Sequence, residues 1–185
     1  MSIVDDLKNS LSSVVSGVGD VVSTTRTVAK NTVVGLLESG GEVATTGMGV
    51  VAEAVADGVG AVKDAGASVT QGVTGLVSGA IGGAKQVGGD AGTAATEAAR
   101  GAVKGAAAVG EDVGETAVAA VEGAIHAAGE VGGDTGDLAK SAVLGTLRAA
   151  DEVGSEAGEI VRKALLNAAA LPHDIIDALL TGKTE

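Results

Sequence analysis

Aromatic residues are missing altogether: the 185-residue chain has no Phe, Tyr or Trp. Cysteine is absent as well, proline occurs once (Pro172) and histidine twice (His126, His173). Each gap excludes something. Without aromatics the chain lacks the large side chains that dominate ordinary cores and binding hot spots. Without cysteine it has no disulfide framework, thiolate nucleophile or zinc-thiolate centre. Basic residues are few, 12 against 24 acidic for a net charge of −12. That balance argues against nucleic acid, whose binding rests on clustered Lys and Arg neutralising phosphates, and against adsorption to anionic lipid. Mean hydropathy is +0.38, yet charges and polar clusters break up any run of about 20 apolar residues. The opening Met1-Ser2-Ile3-Val4-Asp5-Asp6 carries early acids and no basic n-region, so no secretory signal is predicted and a cytoplasmic location is the expectation.

What fills the chain is small. Alanine supplies 35 positions, glycine 31 and valine 28, about half of the residues. They recur with a period of 22, and seven ungapped units begin at Ser16, Glu38, Gly60, Gly82, Lys104, His126 and Arg148 and end at Ala169. The sixth column reads Val21, Val43, Ala65, Val87, Val109, Val131, Val153. The seventh is glycine in the last five units (Gly66, Gly88, Gly110, Gly132, Gly154), and the eleventh in the last four (Gly92, Gly114, Gly136, Gly158). The twentieth is Gly35, Gly79, Gly101, Gly123 and Gly145, with Asp57 and Asn167 as exceptions. Residues 1–15 continue the apolar columns through Ile3, Leu7, Leu11 and Val14, with Ser2 and Asp5 as a helix-capping pair. Residues 170–185 form a tail in which Pro172 stops one helix and Asp174–Leu180 forms a short one. The organisation is one repeat array, 16–169, with short capping ends.

The spacing predicts an all-α protein. Apolar columns fall three and four residues apart, and six turns in 22 residues is the undecad period of about 3.67 residues per turn. On a wheel the apolar columns cover nearly half the circumference, with the glycine columns inside or bordering that arc. Acids gather at columns 5, 9, 12 and 16, bases at 15, 4 and 1, giving the polar face one acidic and one basic flank. Glycine costs about 0.8–1 kcal/mol relative to alanine inside a helix, so 31 glycines imply a penalty on the order of 25 kcal/mol. Helices this weak must be held by neighbours, and small residues are what let two backbones approach closely. The expectation is Gly/Ala/Val-rich helices side by side, packed through the valines of column 6 and the glycines of columns 7, 11 and 20. A parallel β-solenoid is the rival, favoured by Val21-Val22-Ser23-Thr24-Thr25 but opposed by the absence of period-2 alternation and by the alanine-rich later units. The pairs Gly40-Gly41, Gly82-Gly83, Gly88-Gly89 and Gly132-Gly133 are either hinges or tight-packing points, and the sequence leaves that open.

Stretches such as Val21-Val22-Ser23-Thr24-Thr25-Arg26-Thr27-Val28-Ala29-Lys30 and Val55-Ala56-Asp57-Gly58-Val59-Gly60-Ala61-Val62-Lys63 resemble the undecad lipid-surface repeats of perilipins, synucleins and exchangeable apolipoproteins. Late-embryogenesis-abundant stress proteins share the period. The resemblance is one of pattern over most of the chain, and it implies a coat on lipid droplets or membranes, or protection of drying cells.

Chemistry-bearing motifs are sparse. Gly-x-Gly spacings arise from composition, and none follows a hydrophobic strand as a dinucleotide site requires. His126 shares a column with Lys104 and Arg148 and reads as a surface residue; His173 beside Pro172 reads as a turn or cap residue. Glu111, Asp112 and Glu115, or Asp134 and Asp137, read as a solvated acidic flank before they read as a weak divalent-cation site, and Met48 reads as a packing residue. No nucleophile is paired with a base. The sequence therefore predicts no enzyme and no cofactor, and a structural protein that assembles with copies of itself into a filament, sheath or scaffold. An amphipathic coat on neutral lipid or a polymer granule and a desiccation protectant are the alternatives.

Overall fold

The computed structural model describes Asp5, Asn9, residues 20–39 and residues 48–181. Eight helices run through the two long segments: α1 (Val21–Ser39), α2 (Gly49–Asp64), α3 (Val69–Gln86), α4 (Ala91–Ala108), α5 (Val113–Val131), α6 (Thr135–Val153), α7 (Ser155–Asn167) and α8 (His173–Thr181). The described residues contain no strand, so the β-solenoid is excluded. Val43, the Ser2 cap and the apolar columns of the first fifteen residues lie outside the described residues, as do Gly40 and Gly41.

From Gly66 to Gly154 the helix breaks recur every 22 residues, at column 7. There Gly66, Gly88, Gly110 and Gly132 adopt φ of 74°, 83°, 74° and 69°. This left-handed conformation is one that only glycine enters without a steric penalty. The next amide then reaches back to the last turn, as in Ala67 N–H to Val62 O at 3.2 Å and Glu111 N–H to Ala106 O at 2.9 Å. Two residues after the glycine, column 9 starts the following helix. The side chains of Ser68, Asp90, Asp112 and Asp134 accept from the amides of Gln71, Thr93, Glu115 and Asp137. Stop and start thus sit within three residues of one another. The expectation that the column-7 glycines pack helix on helix is corrected: a continuous wheel carries them into the apolar arc, but the chain leaves the helix there. Gly154, at φ 151°, divides α6 from α7 in the same column.

From α2 onward short turns fold consecutive helices back on one another, and each described helix packs most extensively on the next but one. The result is two layers, α1-α3-α5-α7 and α2-α4-α6-α8. The core between them is almost entirely Ala and Val, and its largest wholly buried side chains are Leu76, Ile81, Leu165 and Ile176. Exposure follows position in the array. Central α3 buries most of its residues, including Gly75, Gly79 and Gly83. Edge helix α1 buries only Thr25, Ala29, Val33 and Leu37, a single stripe at spacing four. In the tail, Leu171 and Ile176 are buried and tie α8 to the array.

The first helix departs from the frame. Its cap is Asp20, which accepts from Val22 N–H at 3.2 Å and sits in column 5 rather than column 9. α1 consequently occupies the place of a regular helix with its sequence slipped by four residues, one turn. The unit that follows α1 in the frame carries Ala44 in column 7, where the five later units have glycine.

Candidate functional site

The surfaces that define this molecule are the seams between next-but-one helices, and they are built from backbone. A Cβ placed on Gly101 would lie 2.8 Å from the carbonyl carbon of Ala52 and closer still to its oxygen. One on Gly123 would lie 2.7 Å from Thr74 O, and one on Gly145 would lie 3.0 Å from the carbonyl carbon of Thr96. All three pairs are 49 residues apart, column 20 against column 15 two units earlier. Gly105 repeats the contact one turn along, 2.8 Å from Ala56 O, so the helices run parallel. At this range the glycine Cα–H groups face carbonyl oxygens, a weak attraction that only a missing side chain permits. Hydroxyls reinforce two of the seams: Thr74 Oγ1 donates to Ala119 O at 3.3 Å, and Thr96 Oγ1 to Ser141 O at 3.1 Å. Sequence reasoning missed these threonines, although both stand in column 15.

The seam between α1 and α3 uses three glycines and a different offset. Gly75, Gly79 and Gly83 face Val22, Arg26 and Lys30, each 53 residues back, which is the same one-turn slip measured from the packing side. At the other edge of α1, Gly35 also occupies column 20, but a Cβ there would meet nothing within 4 Å. Leu36 beside it is 40% exposed. Gly35 is a seam glycine without a seam among the described residues.

The remaining glycines of the sequence reading fall into two groups. Column 11 sits in the first turn: Gly114 faces Ile160 and Ala164 of α7, Gly136 faces Ile175 of α8, Gly92 faces Ser141, and Gly158 faces Asp151 and Arg162. Column 7, as described, caps. Of the column-6 valines, Val87, Val109 and Val131 end their helices half-buried against the core, and Val21 opens α1 in the same state. Val153 is 45% exposed, so its expected place in the packing is corrected. Gly88-Gly89 and Gly132-Gly133 are turn glycines, whereas Gly82-Gly83 lies inside α3.

Charged flanks meet across the same seams. Lys104 Nζ is 2.5 Å from Glu152 Oε2, and Arg100 Nη2 is 2.8 Å from Glu152 Oε1, linking α4 to α6. Lys63 reaches Glu111 at 3.2 Å, linking α2 to the turn after α4. The Lys104 and Arg100 bonds hold the Glu152 carboxyl below its ordinary pKa. Asp90 is lowered as well, chiefly by the Thr93 amide it caps. Of the column-9 acids, read from sequence as part of an acidic flank, Asp90, Asp112 and Asp134 are helix caps: Glu115 N–H donates to Asp112 at 2.8 Å, and Asp137 N–H to Asp134 at 2.9 Å. No group of three or more His, Cys, Asp or Glu side chains among the described residues has metal-site geometry. His126 and His173 are exposed and Met48 is buried. No described helix is long and apolar enough to cross a membrane.

Comparison of the chain with protein-family models, with curated proteins and with solved structures gives no match.

Proposed function

We propose that this chain is a non-enzymatic structural protein whose layers continue from one copy to the next, building a filament or scaffold. The observation that carries the reading is Gly35. Every other glycine of its column is pressed against the backbone of a preceding helix, and Gly35 presents the same bare surface to nothing described. A seam related by translation is a heterologous interface, and such interfaces propagate when they do not close. The helix to continue it is α7, at the opposite edge of the same layer, where Arg162 and Lys163 are exposed. Glu38, exposed on α1 one turn from Gly35, supplies the opposite charge, as the acidic partners of the internal seams do. The amphipathic-coat reading has less support, because the apolar faces it requires are turned into the core.

Sedimentation velocity and negative-stain microscopy of lipid-free protein test the proposal. Ordered particles that grow with concentration are expected, and Gly35→Leu should shift them to monomer with helicity retained. Monodisperse monomer for the unaltered chain at high micromolar concentration refutes it.

A further inference from the structure

A groove of about 640 Å³ opens over α3, between α1 and the end of α5. The slip of α1 sets its lining, by placing Arg26 where a regular helix would carry column 15. Gly79 lets the Arg26 backbone lie directly on α3, and Gly82 leaves open space where a side chain would stand. Arg26 lies across this gap and pairs with Glu130 at the end of α5. Lys30 and Asn31 line the α1 wall, and Lys85 lines the α3 side. Three cations against one carboxylate is a local reversal in a chain with twice as many acidic as basic residues.

A second observation points to the same place. Of the four buried polar side chains among the described residues, Thr25, Thr116 and Thr146 donate to helix carbonyls. Ser78, which lines the groove, is 1% exposed and its hydroxyl has no hydrogen-bond partner. A buried hydroxyl left unsatisfied is rare and costs about 1–3 kcal/mol.

We propose that this groove binds a small, multiply charged phosphate anion, with Arg26 released from Glu130 to clamp it. The guanidinium offers a planar fork suited to phosphate oxygens. Lys30 and Lys85 supply point charge, Asn31 an amide donor, and the Ser78 hydroxyl gains the acceptor it lacks. No aromatic lines the groove, so recognition rests on the charged group and not on a stacked base. Glu130 is the internal competitor: in the free protein its carboxylate holds the site closed.

Pyrophosphate is the probe, titrated calorimetrically against the full chain at moderate ionic strength. One saturable site is expected, weakened tenfold or more by the double variant Lys30→Gln/Lys85→Gln. Glu130→Gln should tighten it several-fold. Ser78→Ala should weaken it several-fold while raising the melting temperature of the free protein. Lys140→Gln/Arg148→Gln, which removes the same charge elsewhere, should leave binding unchanged, and circular dichroism verifies that each variant is folded. Absent or unsaturable binding, equal loss in the Lys140/Arg148 control, or no gain from Glu130→Gln overturns the proposal.

Discussion

Adding a single methyl group at Gly101 tests the seam geometry, because the sign of the result depends on where that methyl goes. Alanine is the better helix former by about 0.8–1 kcal/mol, so Gly→Ala inside an unhindered helix stabilises. Gly60 in α2 is such a position; its new Cβ would meet only Val109 Cγ1, at an ordinary 3.9 Å. At Gly101 the Cβ would lie 2.8 Å from the Ala52 carbonyl carbon, where carbon–carbon contact is comfortable at about 3.5–4.0 Å. The obstacle is helix backbone, which cannot rotate away, so α2 and α4 must part by about 1 Å. Overpacking costs about 1–3 kcal/mol, and a rigid obstacle places this case at the upper end. Subtracting the propensity gain leaves a net loss of about 2 kcal/mol, equivalent to roughly 4–8 °C in melting temperature for a chain of this length. Thermal and urea unfolding followed by circular dichroism measures it, with Gly60→Ala expected to melt about 2–4 °C higher than the unaltered chain. Equal stability of the Gly101→Ala and Gly60→Ala proteins would refute the close-contact argument.

Two further outcomes follow from the turns and caps. Gly110→Ala forces a Cβ into φ +74° and should destabilise by about 1–2 kcal/mol in the same urea titration, with Gly110→Asn falling between it and the unaltered chain. Asp90 and Glu152 have folded pKa values below their unfolded ones, so their contribution is fully present above the ordinary carboxylate range and drains away as pH falls below about 4. Asp90→Asn keeps a capping oxygen but removes the charge; it should match the unaltered chain at neutral pH and show a shallower loss of melting temperature in acid.

Much of this fold was legible in the sequence because its packing is periodic. Column 20 announced itself as a glycine recurring every 22 residues on an apolar arc, and Gly101, Gly123 and Gly145 lie against carbonyls of neighbouring helices. Column 7 looked the same on paper. A 3.67-residue period runs smoothly through Gly88 and Gly110, so periodicity alone gives no sign that the chain turns there. The distinguishing signal stood two residues on. Asp90 and Asp112 are helix starters, and a glycine followed closely by such a residue is a stop and a start. Assigning those acids to a charged flank hid the turn. The slip of α1 was illegible for another reason: the sequence frame is ungapped there, and only the displaced cap at Asp20 and Ala44 in the glycine column mark the change. The slip sets which α1 side chains line the groove over α3, so Arg26, Lys30, Ser78 and Lys85 carried no common signature.

A core of alanine, glycine and valine has a thermodynamic consequence. Ordering a buried Leu, Met or Lys sacrifices rotamer freedom worth up to about 2 kcal/mol, whereas Ala and Gly have none to lose. The fold therefore gains little per residue from burial but gives up little side-chain entropy in exchange. The balance shifts onto the main chain, and the elasticity of the molecule becomes that of its helices: without adjustable side chains between the layers, strain passes from one backbone directly to the next.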